Sequence, residues 1–171
     1  MTDMAGGIRR EVWKRFAKSQ VVFLGTAEGE QPRVRPVTLI DFDQKFWIAT
    51  GTRSAKARQI RRNPNVEFCL QLREGDNTGY VRVAGVAQAV GDRETKEKLA
   101  EQMDFFAAHW QGVDDPDYTL LRITRVEVEY MPPRGNRSTH IPRVMPSTEP
   151  LLVYLRRLLR VKSDVSAEDA D

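Results

Sequence analysis

The chain has 171 residues, 40% of them hydrophobic, which suits a single compact domain with a real core. Its single cysteine, Cys69, excludes an internal disulfide and is expected to be a core thiol. The 27 Lys and Arg residues exceed the 24 Asp and Glu residues, and the net charge of +3 is compatible with an anionic ligand without requiring one. No apolar run approaches the about 20 residues that cross a bilayer, and the N-terminus lacks the apolar core of a signal peptide, so we expect a cytoplasmic protein.

The first half of the chain has the pattern of a helix followed by three strands. Apolar residues at helical spacing predict an amphipathic helix over residues 8–17. Residues 21–26 are typical of a buried strand, and residues 32–40 alternate basic with apolar side chains as a second strand. Residues 46–50 have the aromatic and β-branched content of a third strand. Short polar turns separate these strands, which predicts an antiparallel meander whose last two strands form a hairpin.

The junction after the third strand has the features of a phosphate site. Gly51 allows the backbone to turn, and a basic helix follows over residues 54–62. Ser54 can offer its hydroxyl and the first N–H groups of that helix, while Arg53 and Lys56 add positive charge. Helix N-termini attract anions through such donors and through the macrodipole. The alternative is an ordinary strand, turn and helix whose charged residues face water.

The second half of the chain continues the antiparallel pattern. Residues 66–72 and 80–90 predict two more strands, and a helix over residues 92–110 begins at a capping Asp. After a break at residues 114–117, residues 120–130 alternate as a sixth strand. A mainly β protein with flanking helices follows. We expect a six-stranded antiparallel barrel, closed or split, because that arrangement removes exposed sheet edges.

The chain changes character after residue 131, which we take as the end of the barrel domain, residues 1–131. Residues 132–162 begin with a proline-rich segment that is expected to lack regular structure and continue with a leucine stripe opposite basic residues. This stripe predicts an amphipathic helix that packs on the domain or its dimer, in preference to a membrane surface. Residues 163–171 are small and acidic and predict a disordered tail.

Nucleic acid and a metal ion fit the sequence less well than a phosphate does. The basic helix over residues 54–62 could contact nucleic acid, but it lacks a recognisable reading helix and interleaved aromatics, so we expect no nucleic-acid partner. His109 and His140 are the only histidines, too few and too far apart in sequence for a metal site, and we expect no metal.

Several segments together resemble the FMN-binding split-barrel proteins related to pyridoxamine 5′-phosphate oxidase. The resemblance covers about residues 8–131 and is most specific over residues 49–64. The matching residues are Arg35, Pro36, Val37 and Thr38; Thr50, Gly51, Ser54 and Lys56; Gln59, Ile60, Arg62, Asn63 and Pro64; and residues 83–87.

The resemblance implies a homodimer with one FMN at each side of the subunit interface. It implies that Arg35, Ser54 and Lys56 hold the phosphate, and that backbone from residues 36–38 and 50–51 lies along the ring system. Arg53, in the same turn, and Tyr80, which stands where the oxidase has a glutamine, complete the candidate set. The predicted cofactor-binding residues are Arg35, Pro36, Val37, Thr38, Thr50, Gly51, Arg53, Ser54, Lys56 and Tyr80.

The resemblance also implies an oxidoreductase that reduces or oxidises an unidentified small molecule through the flavin. Hydride transfer to a flavin needs no protein nucleophile, so no catalytic residue is assigned. Ala55 replaces a basic residue of the oxidase, Met131 replaces a tryptophan, and no tyrosine and arginine pair follows Lys98, so efficient oxidation of pyridoxamine phosphate is not expected. The alternatives are a reductase that uses the deazaflavin F420, whose acidic tail basic residues of the helix could meet, and a flavin- or haem-binding protein without turnover.

Overall fold

Seven antiparallel strands form one sheet in the computed structural model, which describes residues 2–142. The strands are β1 (Ser19–Glu28), β2 (Gln31–Phe42), β3 (Lys45–Gly51), β4 (Asn65–Glu74), β5 (Asn77–Val90), β6 (Tyr118–Met131) and β7 (Thr139–Pro142). The helices are α1 (Thr2–Trp13), α2 (Ala55–Arg62), α3 (Arg93–Ala100) and α4 (Phe106–His109). The first three strands form the predicted meander, and β2 and β3 form the predicted hairpin.

Strand β6 closes the sheet into a barrel with its first half and carries β7 on its second half, while it pairs with β5 along most of its length. The strands lie in the order β3-β2-β1-β4-β5-β6-β7, and β6 also pairs with β3. The first half of β6 pairs with β3, from Tyr118 opposite Gly51 to Ile123 opposite Phe46. Its second half, residues 127–130, pairs instead with β7. This arrangement confirms the mainly β split-barrel class, with seven strands where six were predicted.

The core fills the inside of the barrel with alternate residues of each strand. Leu24, Phe68, Val83 and Val128 are neighbours across four strands, and all four are buried. Burying a side chain of this size contributes about 1.5–3 kcal/mol. Helix α1 covers the barrel with Val12, so the chain before β1 is part of the same core.

A second apolar cluster lies outside the barrel, between the strands and helices α3 and α4. Trp47 and Leu120 on the strands pack against Leu99, Met103 and Trp110. The Trp110 Nε1 donates to the Asp117 carbonyl over 3.1 Å. The cluster therefore fastens the start of β6, which lies beside the end of β3.

Two predicted helices have different bounds in the structure. Helix α1 ends at Trp13, because Arg15 and Phe16 donate backbone hydrogen bonds to carbonyls three residues back, which tightens the chain into a turn. Phe16 still reaches the core from this turn, with its ring centroid 4.7 Å from that of Phe46. The helix predicted over residues 92–110 is instead two helices. Bonds from Gln102 and Met103, again to carbonyls three residues back, end α3.

Three further expectations need correction. Strand β1 is half-buried, since Val21 and Phe23 are 61% and 46% exposed while their neighbours face the core. Cys69 is likewise only partly buried, on the outer face opposite Phe23, and is not a core thiol. The proline-rich segment contains a strand, because β7 pairs with β6 and Ile141 packs against the core.

The predicted C-terminal helix and acidic tail lie outside the described residues. Within residues 2–142, no helix has the length and apolar character needed to span a membrane.

Candidate anion-binding site at the start of helix α2

Helix α2 begins at a well-formed cap next to the end of β3. Ser54 is the N-cap in an extended conformation, and its hydroxyl accepts the Ala57 N–H over 3.3 Å. The hydroxyls of Ser54 and Thr50 lie 3.1 Å apart. Because only one of these two hydroxyls donates in the bond that joins them, a hydroxyl hydrogen remains for another acceptor. The first turn of α2 contains no acidic residue, so nothing in it opposes an anion.

Asp117 holds the turn between β3 and α2 in place. Its carbonyl accepts the Thr52 N–H over 2.9 Å, and its carboxylate accepts the Arg53 N–H over 3.4 Å. A Cβ on Gly51 would lie 3.0 Å from Asp117 Oδ2, so a larger residue there would require the Asp117 carboxylate to shift slightly. The Thr52 hydroxyl is 2.8 Å from that of Thr119. The turn is therefore fastened to the start of β6 on one side and leads into α2 on the other.

Arg53 differs from the other predicted cations because it has a counter-charge. Its side chain is 90% exposed, and its Nε lies 3.5 Å from Asp117 Oδ1. This ion pair is exposed and therefore weak. Arg53 nevertheless has a carboxylate beside it, whereas Arg35 and Lys56 have none among the described residues.

Arg35 lies on β2 with its guanidinium among neutral acceptors. Its Nη1 donates to the Thr26 hydroxyl over 2.6 Å and to the Leu24 carbonyl over 3.3 Å. Its Nη2 donates to Gln59 Oε1 over 2.7 Å. Partial burial lowers the Arg35 pKa, and the charge of Arg33 lowers it further. None of the described residues supplies Arg35 with a carboxylate, so its positive charge is not neutralised.

Lys56, in the first turn of α2, is the second cation of the site. Burial lowers the pKa of Lys56, and the positive charge of Arg35 lowers it further. Within residues 2–142 the Lys56 ammonium has no hydrogen-bond or ion-pair partner. Two partly buried cations, with no carboxylate partner for either among the described residues, favour an anionic ligand between them.

Thr26 and Gln59 belong to the same site, although sequence analysis gave neither a role. Gln59 is only 4% exposed, and its Oε1 accepts both the Thr26 hydroxyl and the Arg35 guanidinium, each over 2.7 Å. Its Nε2 faces Glu28 Oε2 at 3.4 Å. The signal that could have identified Gln59 is its place among the residues that carry the family resemblance, as an uncharged polar residue within a basic helix.

The other predicted residues divide between this site and a different part of the sheet. Pro36, Val37 and Thr38 continue β2 beyond Arg35, and Val37 packs against the core. Tyr80 lies on β5, where its hydroxyl donates to Glu129 Oε1 over 2.7 Å. No contact joins Tyr80 to Arg35, Ser54 or Lys56 within the described part of the chain.

Tyr80 belongs to a row of polar side chains on the outer face of the sheet. Arg82 binds Glu67 at 2.8 Å and Glu129 at 3.0 Å, and these contacts raise the pKa of Arg82. Phe23, Cys69, Arg82, Glu129 and His140 are successive neighbours across the strands of this face. Burial raises the pKa of the Cys69 thiol, which does not favour a reactive thiolate.

Two cavities flank helix α2 on opposite sides. One of about 380 Å³ is lined by Ala27, Glu28, Gly29, Arg58, Gln59, Arg62 and Asn63. The other, of about 580 Å³, is lined by Ala57, Ile60, Arg61, Ala87, Gln88, Ala89, Thr119 and Leu121. The volumes are of the size that small ligands and cofactors occupy, about 300–1,000 Å³.

The two histidines are both engaged with protein groups. His140 Nδ1 lies 2.6 Å from Glu127 Oε1, and the His109 ring lies 5.5 Å from that of Trp110. Among the residues that the structure describes, no three His, Cys, Asp or Glu side chains are grouped so that they could hold a metal ion.

Comparison with known proteins identifies relatives over most of this barrel. The model of the pyridoxamine 5′-phosphate oxidase family matches residues 8–132. General stress protein 26 of Bacillus subtilis strain 168 is 28% identical over 125 residues, which cover 72% of this chain and 88% of that protein.

Solved structures share the fold. General stress protein 26 from Bacillus anthracis has a TM-score of 0.66 at 22% identity, covering 80% of this chain and 98% of the other. A haem-binding protein from Mycobacterium smegmatis has a TM-score of 0.63 at 16% identity, covering 73% of this chain and 53% of the other. At these identities the likeness concerns the fold. The family match, by contrast, spans nearly all of the described barrel, and the chain belongs to the pyridoxamine 5′-phosphate oxidase family.

Proposed function

We propose that the protein is an FMN-binding oxidoreductase that acts on a small molecule through the flavin. The observation that carries the proposal is the pair of half-buried cations, Arg35 and Lys56, for which the described residues provide no carboxylate. A dianionic phosphate suits such a pair, because each cation can form a charge-assisted hydrogen bond with it. The first turn of α2, which contains no acidic residue, also attracts the phosphate through its N–H groups and the helix dipole.

The residues present fit the two halves of FMN. Arg35, Lys56 and the hydroxyl of Ser54 would hold the phosphate. Backbone from residues 36–38 of β2, and from Thr50 and Gly51 of β3, would lie along the ring. Ring systems bind where an apolar wall carries a few polar groups, and β2 offers both in its partly buried stretch.

Bound FMN would supply the redox chemistry, and the chain would bind and orient it. Asp117 keeps the turn in position by accepting the backbone N–H groups of Thr52 and Arg53. Arg53, paired with Asp117, would contribute charge at the rim. We assign no side chain to proton transfer.

A homodimer with the flavin at its interface completes this proposal. Tyr80 lies on the outer face of the sheet, and no contact among residues 2–142 joins it to the site of its own chain. It would therefore reach a flavin only from the partner subunit. The exposed apolar side chains of Val21, Phe23 and Val34 lie on β1 and β2, the second of which carries Arg35.

Titration of the purified protein with FMN and with riboflavin tests the phosphate site. Riboflavin has the same ring without the phosphate, so we expect FMN to bind at least about tenfold more tightly. Equal affinities would contradict the proposal. Reduction of the bound flavin by NADH or NADPH, followed at the flavin absorption band, tests the redox activity.

A reductase that uses F420 is the second candidate. Arg58 and Arg62 line the cavity of about 380 Å³ beside Gln59, where Glu28 is the one acidic residue among the described lining residues. Such a cavity suits an acidic tail. Binding of F420 in preference to FMN, seen as a deazaflavin spectrum in the purified protein, would favour this candidate. A carrier of flavin or haem without turnover would show the cofactor's spectrum but no reduction by a nicotinamide donor.

A further inference from the structure

The side chain of Gln59 links three parts of the fold at one atom. Its Oε1 accepts hydrogen bonds from Thr26 on β1 and Arg35 on β2, while Gln59 itself lies on α2. Both bonds are 2.7 Å long, and Gln59 is almost fully buried. A buried acceptor that serves two donors over such distances holds both of them in place.

The bonds restrict Arg35 without neutralising it. In the described part of the chain its guanidinium has four acceptors, which are the carbonyls of Leu24 and Arg33, the hydroxyl of Thr26 and the amide of Gln59. All four are neutral. A carboxylate in place of the Gln59 amide would accept the same bonds, but it would also cancel the positive charge that an anionic ligand needs.

The surroundings of Gln59 make its neutrality more important. Its Nε2 faces the carboxylate of Glu28, which also contacts Arg33 and Arg58. An amide can donate to Glu28 and accept from Arg35 at the same time. Gln59 thereby separates the acidic group of Glu28 from the cation of the site.

We propose that Gln59 is the positioning residue of the anion site, whose neutral amide oxygen orients Arg35 toward the ligand phosphate and leaves its charge intact. The inference rests on the proposed function, since it assigns the phosphate of FMN to Arg35. Gln59 does not touch the ligand. It acts through Arg35, and Thr26 supports it as the second donor to the same oxygen.

Two substitutions separate the two parts of this role. Gln59→Met keeps the length of the side chain and removes the acceptor, so Arg35 loses its orientation. Gln59→Glu keeps the acceptor and adds a negative charge. We expect each variant to weaken FMN binding about tenfold or more and to leave riboflavin binding unchanged, so that the ratio of the two affinities falls. Gln111→Glu, at an exposed position, makes the same chemical change elsewhere and should keep the wild-type ratio.

The outcomes distinguish the inference from the proposed function. A wild-type protein that binds FMN and riboflavin equally would contradict the phosphate site itself. A wild-type preference for FMN that persists in Gln59→Glu would overturn the requirement for a neutral group, and its persistence in Gln59→Met would overturn the orienting role. Thermal unfolding and riboflavin affinity report whether each variant is folded. If Gln59→Glu does not fold, Gln59→Met and Thr26→Val decide the orienting role, because Thr26→Val removes a donor to Gln59 and an acceptor of Arg35.

Discussion

The Lys56 ammonium affects both ligand binding and the stability of the ligand-free protein. Burial disfavours its charged form, which is why the pKa of Lys56 is lowered in the folded protein. A bound phosphate would favour that charged form again. The same side chain should therefore strengthen ligand binding while it weakens the ligand-free fold.

Replacing Lys56 by methionine tests this opposition. We expect Lys56→Met to weaken FMN binding by about tenfold or more, because a charge-assisted bond to the phosphate is lost. Riboflavin binding should not change. The free energy of unfolding, measured by urea denaturation of the ligand-free protein, should stay equal or rise. Lys18→Met, at an exposed position, is the control and should alter neither affinity. A large loss of stability in Lys56→Met would contradict the argument.

The pH dependence of FMN binding should show the titration of Lys56. Its folded-state pKa lies below the ordinary lysine value, so rising pH removes this proton earlier than from an exposed lysine. The contribution of the Lys56 charge to FMN affinity should therefore be complete below the folded-state pKa and should be lost as the pH rises through it. Riboflavin titrated at the same pH values corrects for ionisation of the ring. Lys56→Arg keeps its charge over this range and should abolish the alkaline loss.

The residues of the candidate site that the sequence alone predicts through a local pattern lie near one another along the chain. Ser54 and Lys56 were predicted from a strand, a glycine turn and a basic helix, and the cap of α2 forms as that pattern requires. Asp117 was predicted only as part of a chain break, because its contact with Arg53 joins residues 64 positions apart. The bond between Thr26 and Gln59 spans 33 positions. Such partners depend on the closed barrel, which no local pattern specifies.

At the scale of elements, Tyr118 and Tyr130 show two ways in which β6 meets its neighbours. The Tyr118 hydroxyl is buried beside α4 and has no hydrogen-bond partner in the described structure, and burial raises the pKa of Tyr118 to about 12. The Tyr130 hydroxyl instead donates to Glu11 on α1 over 2.6 Å. One hydroxyl therefore carries a cost of desolvation, and the other fastens a helix to the barrel.

The two tyrosines form a matched pair for substitution by phenylalanine. Tyr118→Phe should leave the free energy of unfolding unchanged or raise it by about 1–3 kcal/mol, since an unpaired buried hydroxyl is removed. Tyr130→Phe should lower it by about 1 kcal/mol, because a hydrogen bond is lost. Urea denaturation at neutral pH measures both. Because the pKa of Tyr118 is raised in the folded protein, the wild-type free energy of unfolding decreases as the pH rises from the ordinary tyrosine pKa to the folded-state pKa. Tyr118→Phe should not show this part of the decrease.

Strand alternation predicted the elements of the barrel, and tertiary contacts set the rest. Residues 32–40 and 46–50 were recognised because one face of each strand meets the core. The single helix expected over residues 92–110 is divided, since a helical period does not indicate where a turn brings Met103 onto the sheet. Strand β7 has four residues, one of them proline, and is defined only by its pairing with β6.

For the molecule as a whole, we expect substrate choice to depend on cations outside the proposed flavin site. Pyridoxine 5′-phosphate carries its own phosphate, and no tyrosine and arginine pair follows Lys98 to bind it. Arg134 could have replaced the missing arginine, but its guanidinium lies 3.1 Å from Glu74. The absence of two charge-assisted contacts should lower the specificity for pyridoxine 5′-phosphate by about two to four powers of ten relative to an enzyme that makes them. Steady-state turnover of pyridoxine 5′-phosphate with oxygen, measured beside flavin reduction by NADH or NADPH, checks this expectation. Rapid product formation at micromolar substrate would contradict this expectation.

Exposed apolar residues on the surface of the molecule bear on its assembly. Val21, Phe23 and Val34 are 61%, 46% and 69% exposed on two adjacent strands. Large exposed apolar side chains that are grouped on one face indicate an interaction surface, whereas single scattered ones need no explanation. Phe23 lies opposite Pro36 on β2, whereas the Arg35 side chain lies on the other face of that strand with Thr26 and Gln59.

Phe23→Arg should convert a dimer into monomers and weaken FMN binding at the same time. A charge placed on the apolar face would meet its own copy across a two-fold interface, and like charges in contact oppose association. Analytical ultracentrifugation should give about twice the chain mass for the wild type and about one chain mass for the variant, with FMN affinity measured on the same samples. Gln111→Arg adds the same charge at an exposed site away from this face and should remain dimeric. A wild-type monomer that binds FMN tightly would show that one subunit forms the complete site, because the partner would then supply neither burial nor Tyr80 to the flavin.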